Sequence, residues 1–160
     1  MKYKHLANER KEYIDILAEK LRQDYCSNLK VDFQSLAKDN NINLLKTGKI
    51  IGGLAVRCNG KDYAFIGAYS KPYTEEYLTA HEIGHRILKH SYDITENIKE
   101  NEADYFAERI IGKGINNMQL YFEMFCEVLR HPIKSSKYST RLMEREVEAL
   151  IDELEAKTQG

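Results

Sequence analysis

A chain of 160 residues with 42% apolar and 31% charged residues is large enough to bury one core and reads as a soluble, single globular domain. Its net charge of −1 argues against general electrostatic attraction to nucleic acid or a membrane surface, and no apolar run is long enough to cross a bilayer. Cys26, Cys58 and Cys126 are odd in number and lack C-x-x-C spacing, and Met1–His5 leads into charged chain rather than an apolar signal core. These features point to reduced thiols in a cytoplasmic protein.

From Leu6 to about Tyr25, apolar residues recur at Tyr13, Ile14, Leu17, Ala18 and Leu21. That spacing predicts an amphipathic helix packed over the core. Asp32 is placed as the N-cap of a second helix running through Phe33, Leu36 and Ala37 to Asn40-Asn41. The stretch Leu36–Ile42 has the flavour of a helix-turn-helix, but no basic recognition helix follows it, so direct DNA binding is not expected. Three short strands come instead, at Ile42–Thr47, Gly53–Cys58 and Tyr63–Tyr69. Asn59-Gly60 between the last two is a type I′ hairpin signal, so the expectation is a small antiparallel sheet of about three strands. Tyr63–Ala68 could be an edge that pairs with an extended substrate, or equally a covered edge.

Pro72 breaks the strand, Thr74 is a plausible N-cap, and a helix is expected over about Glu75–Lys89. It carries His81-Glu82-Ile83-Gly84-His85, the H-E-x-x-H pattern. Two imidazoles one helical turn apart project from one face and can take neighbouring corners of a tetrahedral Zn²⁺ site. Glu82, one residue on, lies beside the metal, where its carboxylate can take a proton from water and pass it to a leaving amine. Gly84 costs about 1 kcal/mol relative to Ala in a helix interior. Either close packing or room for a strand or substrate accounts for it.

A catalytic zinc needs a third protein ligand. The longer pattern H-E-x-x-H-x-x-G-x-x-H fails here, with Leu88 for its glycine, Ser91 for its histidine, and His90 one place out of register. His90 reads as a surface residue at the helix end. A carboxylate on the next helix is the alternative. In Lys99–Ile111 the residues Ala103, Phe106, Ala107, Ile110 and Ile111 form an apolar stripe, flanked by Glu100 and Asp104 one turn apart. Glu100 could ligate the metal while Asp104 accepts the free ring N–H of a ligand histidine. Glu102 points about 200° away from Glu100 and is the weaker candidate, and a solvated helix face stays open as the alternative account of Glu102 and Glu108.

Met118, Tyr121, Phe122, Phe125, Cys126 and Leu129 predict an apolar helix that belongs to the core or to a partner groove. A last helix is expected from Thr140 to Lys157, with Leu142, Val147, Leu150, Ile151 and Leu154 on its apolar side; it packs back or serves as a dimer or docking surface.

The segments Ala80–Leu88 (A-H-E-I-G-H-R-I-L) and Glu100–Ala107 (E-x-E-A-D-x-F-A) resemble the ImmA/IrrE-type metallo-endopeptidases. The likeness extends loosely over about residues 28–112, with flanking helical regions at 6–25 and 115–158. Past Ile111 the chain departs from the Leu-Met-Pro-like turn common in that family and runs Gly112-Lys113-Gly114. The resemblance implies an α+β, zincin-like fold with a gluzincin-like site, in which His81, His85 and Glu100 hold Zn²⁺. It implies limited proteolysis of a protein substrate, a helix-turn-helix transcriptional repressor of a mobile element or stress response. The alternative from another class is a zinc-bearing regulatory or protein-binding module that does not cut.

Overall fold

A computed structural model of the chain describes residues 2–90, 95–112, 116–130, 135–136 and 144–158. In order these form α1 (Asn8–Tyr25), a short hairpin of β1 (Cys26–Ser27) and β2 (Lys30–Val31), and α2 (Phe33–Asp39). Next come β3 (Ile42–Thr47), β4 (Ile50–Ile51), β5 (Gly53–Cys58) and β6 (Lys61–Gly67). The rest is helical apart from one short strand: α3 (Pro72–Ile87), α4 (Glu96–Ile111), α5 (Asn117–Arg130), β7 (Ser135–Ser136) and α6 (Glu144–Thr158). The fold is α+β, as the sequence pattern implies.

The sheet departs from the expectation of an antiparallel one. Its order is β3-β6-β5; β5 and β6 are antiparallel, but β3 runs parallel to β6, with Ile42 opposite Asp62 and Thr47 opposite Gly67. Asn59 and Gly60 both have positive φ, 51° and 75°, as a type I′ turn requires, so the predicted hairpin forms. The hairpin leaves one side of β6 open, and β3 fills it. Tyr63–Ala68 is therefore not an edge. β6 is the central strand, buried continuously from Tyr63 to Gly67, the pattern of a strand covered on both faces.

Side chains of β6 alternate between two cores. Ala64 joins Ile14, Ala18 and Leu21 of α1, Leu36 of α2, Ala80 and Ile83 of α3, and Phe106, Ala107 and Ile110 of α4. Tyr63 and Phe65 face the other way, against Leu54, Val56 and the α6 residues Leu150 and Ile151. The N-terminal helix thus packs on the core as expected, and Arg22 fastens it to the end of α4 by donating to the Ile110 carbonyl at 2.7 Å. The apolar pair Leu150 and Ile151 packs α6 back onto the sheet; Leu142 lies outside the described residues.

Two local expectations are corrected. The helix α3 begins with Pro72 in its first turn and Lys71 as N-cap, because the fixed φ of proline is already helical. Thr74 is fully buried inside that helix, and its hydroxyl donates to Glu123 of α5. The apolar stripe of α5 is not core: Leu120 and Met124 are buried, whereas Met118 is 80% and Phe122 67% exposed, with Tyr121, Phe125 and Leu129 also exposed. Helical periodicity located the stripe, but α5 turns an adjacent arc of its surface, including the carboxylate of Glu127, toward the protein.

Candidate metal centre

α3 is buried from Leu78 to His85 because α4 packs along it and β5 and β6 lie beside it. Gly84 makes the helix crossing close. A Cβ there would stand 2.8 Å from Cδ1 of Phe106, so packing against α4 is the reason for the glycine. The close crossing brings Glu100, in the second turn of α4, over the two histidines of α3.

His81 Nε2 and His85 Nε2 are 3.1 Å apart. The Glu100 carboxylate lies 3.0 Å from the first and 3.2 Å from the second. Ligand atoms of a tetrahedral metal with bonds of about 2.1 Å stand about 3.4 Å from one another. The three groups therefore already sit near the edge lengths of such a site, and one ligand atom from each lies within 4.8 Å of the others.

The protons of the rings agree with this. His81 Nδ1 is 2.8 Å from Asp104 Oδ1, so an ionised Asp104 requires an N–H on Nδ1 and leaves the Nε2 lone pair facing inward. Tyr77 also donates its hydroxyl to Asp104. The His81 lone pair and the Glu100 carboxylate converging at about 3 Å repel one another, and a cation between them relieves that repulsion. The chemistry of the donor set fits a metal ion.

His85 is held differently. Its Nδ1 is 2.9 Å from Nδ1 of His90, whose Nε2 is 2.8 Å from Glu102 Oε2. Glu102 in turn accepts from Arg10 of α1, with Nε at 2.7 Å and Nη2 at 3.0 Å. Two expectations fail here. The side chain of His90 is buried rather than a surface helix end, and Glu102 is neither solvated nor a ligand but a buried partner of His90 and Arg10. Burial pushes His90 below its ordinary value, against the pull of Glu102. Burial pushes Glu102 up, yet the hydrogen bonds from Arg10 and His90 outweigh it and hold the carboxyl below the usual range.

Glu82 is buried next to the start of β5. A Cβ on Gly53 would lie 2.6 Å from both Cγ and Oε1 of Glu82, so the space its carboxylate occupies exists because residue 53 is glycine. β5 and β6 both pack beside α3, and among the described residues β5 is an edge of the three-stranded sheet, so the open edge next to α3 is β5 and not the segment Tyr63–Ala68.

The structure therefore brings together His81, His85, Glu100 and Asp104, and it adds Arg10, Glu102, His90, Tyr77 and Gly53, which sequence reasoning did not assign. The offset of about 200° that makes Glu102 the weaker ligand candidate points it to the seam between α4 and α1, and Arg10 on α1 is the available signal. The chain matches no family model, and no curated protein or solved structure shows significant similarity to it.

Proposed function

We propose that this protein is a zinc-dependent endopeptidase of zincin-like architecture, similar to the ImmA/IrrE-type enzymes, that makes limited cuts in a cytoplasmic protein substrate. The observation that carries the reading is the convergence of His81 Nε2, His85 Nε2 and the Glu100 carboxylate, with Glu82 buried one residue from the first ligand. Zinc bound by these three groups would supply a Lewis acid for the scissile carbonyl and bring the pKa of a water to about 7. Glu82 takes the proton of the attacking water and delivers it to the leaving amine nitrogen. Asp104 holds the ring of His81 through Nδ1. The edge of β5 offers backbone groups to an extended substrate segment, which selects an unfolded or loop conformation rather than particular side chains. A helix-turn-helix repressor is the substrate that the resemblance in the two motifs favours.

The test is elemental analysis of the wild type and of Glu100→Ala and Glu102→Ala proteins, followed by cleavage assays. One zinc per chain, lost in Glu100→Ala, supports the site; Glu82→Gln should then keep zinc and stop cleavage. A wild type that takes up no metal overturns the reading. The exposed apolar face of α5 favours a second reading, a zinc-bearing module that binds a partner without cutting it. Under that reading Glu82→Gln leaves function intact.

A further inference from the structure

We propose that Arg10, Glu102 and His90 form a positioning relay that holds the ring of His85 in the tautomer whose Nε2 lone pair faces the metal, so that α1 sets the affinity of the site. The proposal rests on reading His81, His85 and Glu100 as metal ligands, and it concerns residues outside that set.

The proton assignments follow in one direction along the chain of contacts. The guanidinium of Arg10 meets both oxygens of Glu102, which fixes Glu102 as a carboxylate that can only accept. The atom of His90 facing that carboxylate, Nε2 at 2.8 Å, must then carry a hydrogen. A neutral His90 has its lone pair on Nδ1, and the atom facing it at 2.9 Å is His85 Nδ1. That nitrogen must donate. The remaining lone pair of His85 is on Nε2, the atom directed at His81 and Glu100. A reversed assignment would put the hydrogen of His85 on Nε2 and close the site to a metal.

The backbone has been bent to make this arrangement. Lys89, just after α3, adopts φ +53°, a left-handed conformation that residues other than glycine take only at a cost. Two backbone bonds complete the turn: Lys89 N–H to the Arg86 carbonyl at 3.2 Å and His90 N–H to the His85 carbonyl at 3.3 Å. This Schellman turn folds the chain back so that His90 lies against His85, with ring centroids 5.1 Å apart. The two metal-facing histidines thus have unlike supports. His81 is held by a carboxylate of α4 directly, and His85 through a second imidazole by a carboxylate that is clamped from α1.

Two measurements test this on the whole 160-residue chain. Ring ¹⁵N–¹H correlation spectra of the metal-free wild type should show His90 with its hydrogen on Nε2 and His85 with its hydrogen on Nδ1. A His90 that is doubly protonated or hydrogenated on Nδ1 overturns the relay, and this result needs no variant to fold. Zinc affinity, read by competition with a chromogenic chelator, should weaken about 10–100-fold in His90→Leu. It should recover most of the loss in His90→Gln, whose amide can accept from His85 and donate to Glu102. Adding Arg10→Met to His90→Leu should weaken binding no further, since both act through the same hydrogen bond to His85. Wild-type zinc affinity in a folded His90→Leu, with only its melting temperature lowered, would reduce the relay to packing between helices and overturn the proposal. A wild type that shows the stated tautomers but binds no zinc would instead defeat the metal reading itself.

Discussion

Gly53→Ala is the sharpest perturbation of the proposed chemistry, because it moves one reacting group without touching a ligand. The added Cβ would lie 2.6 Å from Cγ and from Oε1 of Glu82. Carbon contacts are comfortable only from about 3.5 Å, so the carboxylate must retreat by about 1 Å. Gly53 does not occupy the left-handed region, so alanine brings no backbone strain and β5 keeps its pairing with β6. Displacing a catalytic group by about 1 Å can cost on the order of 10²-fold in rate, equivalent to about 2.7 kcal/mol of barrier. The assay is kcat/KM of zinc-loaded protein on a quenched fluorogenic peptide selected from a library, alongside zinc content and a thermal melt. The expected result is full zinc content, a near-normal melt and a rate reduced about a hundredfold. A Gly53→Ala protein that cuts as fast as the wild type would refute the placement of Glu82 as proton carrier. Loss of zinc together with rate would mean that the strand and the metal site are one packing unit, and that the steric argument names the wrong victim.

Other positions give independent checks. Glu127 is buried on α5 and raised by desolvation and the nearby Glu123 charge, so its contribution is favourable below the ordinary carboxyl value and is lost as pH rises through its higher folded value. Glu127→Gln should therefore raise the melting temperature at pH 7.5 and make little difference at pH 4; an unchanged melt at pH 7.5 would contradict the burial. Lys89→Gly should stabilise the protein by about 0.5–1 kcal/mol in chemical denaturation by removing the left-handed strain after α3, and a loss of stability would show that the lysine is held there by something else. His90 has a lowered folded pKa, mainly through burial, so the unfolded chain binds the proton more readily and stability should fall as pH drops below about 6.5. Glu102 is lowered too, which adds a second loss as pH falls below about 4.3. In His90→Gln the first of these limbs should flatten and the second remain, which denaturation curves from about pH 2.5 to 8 would reveal.

The elements were legible where local chemistry decides them. Asp32 capping α2, the turn at Asn59-Gly60 and the apolar stripe of α4 each follow from residues a few positions apart, and each appears in the structure. The spacing of His81 and His85, and of Glu100 and Asp104, likewise needs only a helical turn. What periodicity could not give was the partner of each face. The parallel pairing of β3 with β6 depends on which side of a hairpin is left open, and the exposure of Phe122 and Phe125 on α5 depends on how one helix is rotated against the rest.

The least legible part of the site is the shell behind the ligands, and the reason is physical. A ligand pattern is local because two or three donors must share one helix face, whereas a group that orients a ligand need only reach its far nitrogen, from any element that happens to lie there. Asp104 does this from the same helix as Glu100 and could be read from spacing. Glu102 does it through His90 and needs Arg10, 92 positions away in the chain, to remain a buried carboxylate. An unpaired Glu102 in that seam would shed its charge or cost several kcal/mol. Arginine on α1 therefore does more than join two helices: it keeps the acid ionised, and only an ionised acid fixes the proton on His90 and thereby the one on His85. The N-terminal helix, read from sequence as a cover for the core, is in this arrangement the outermost support of the candidate metal site.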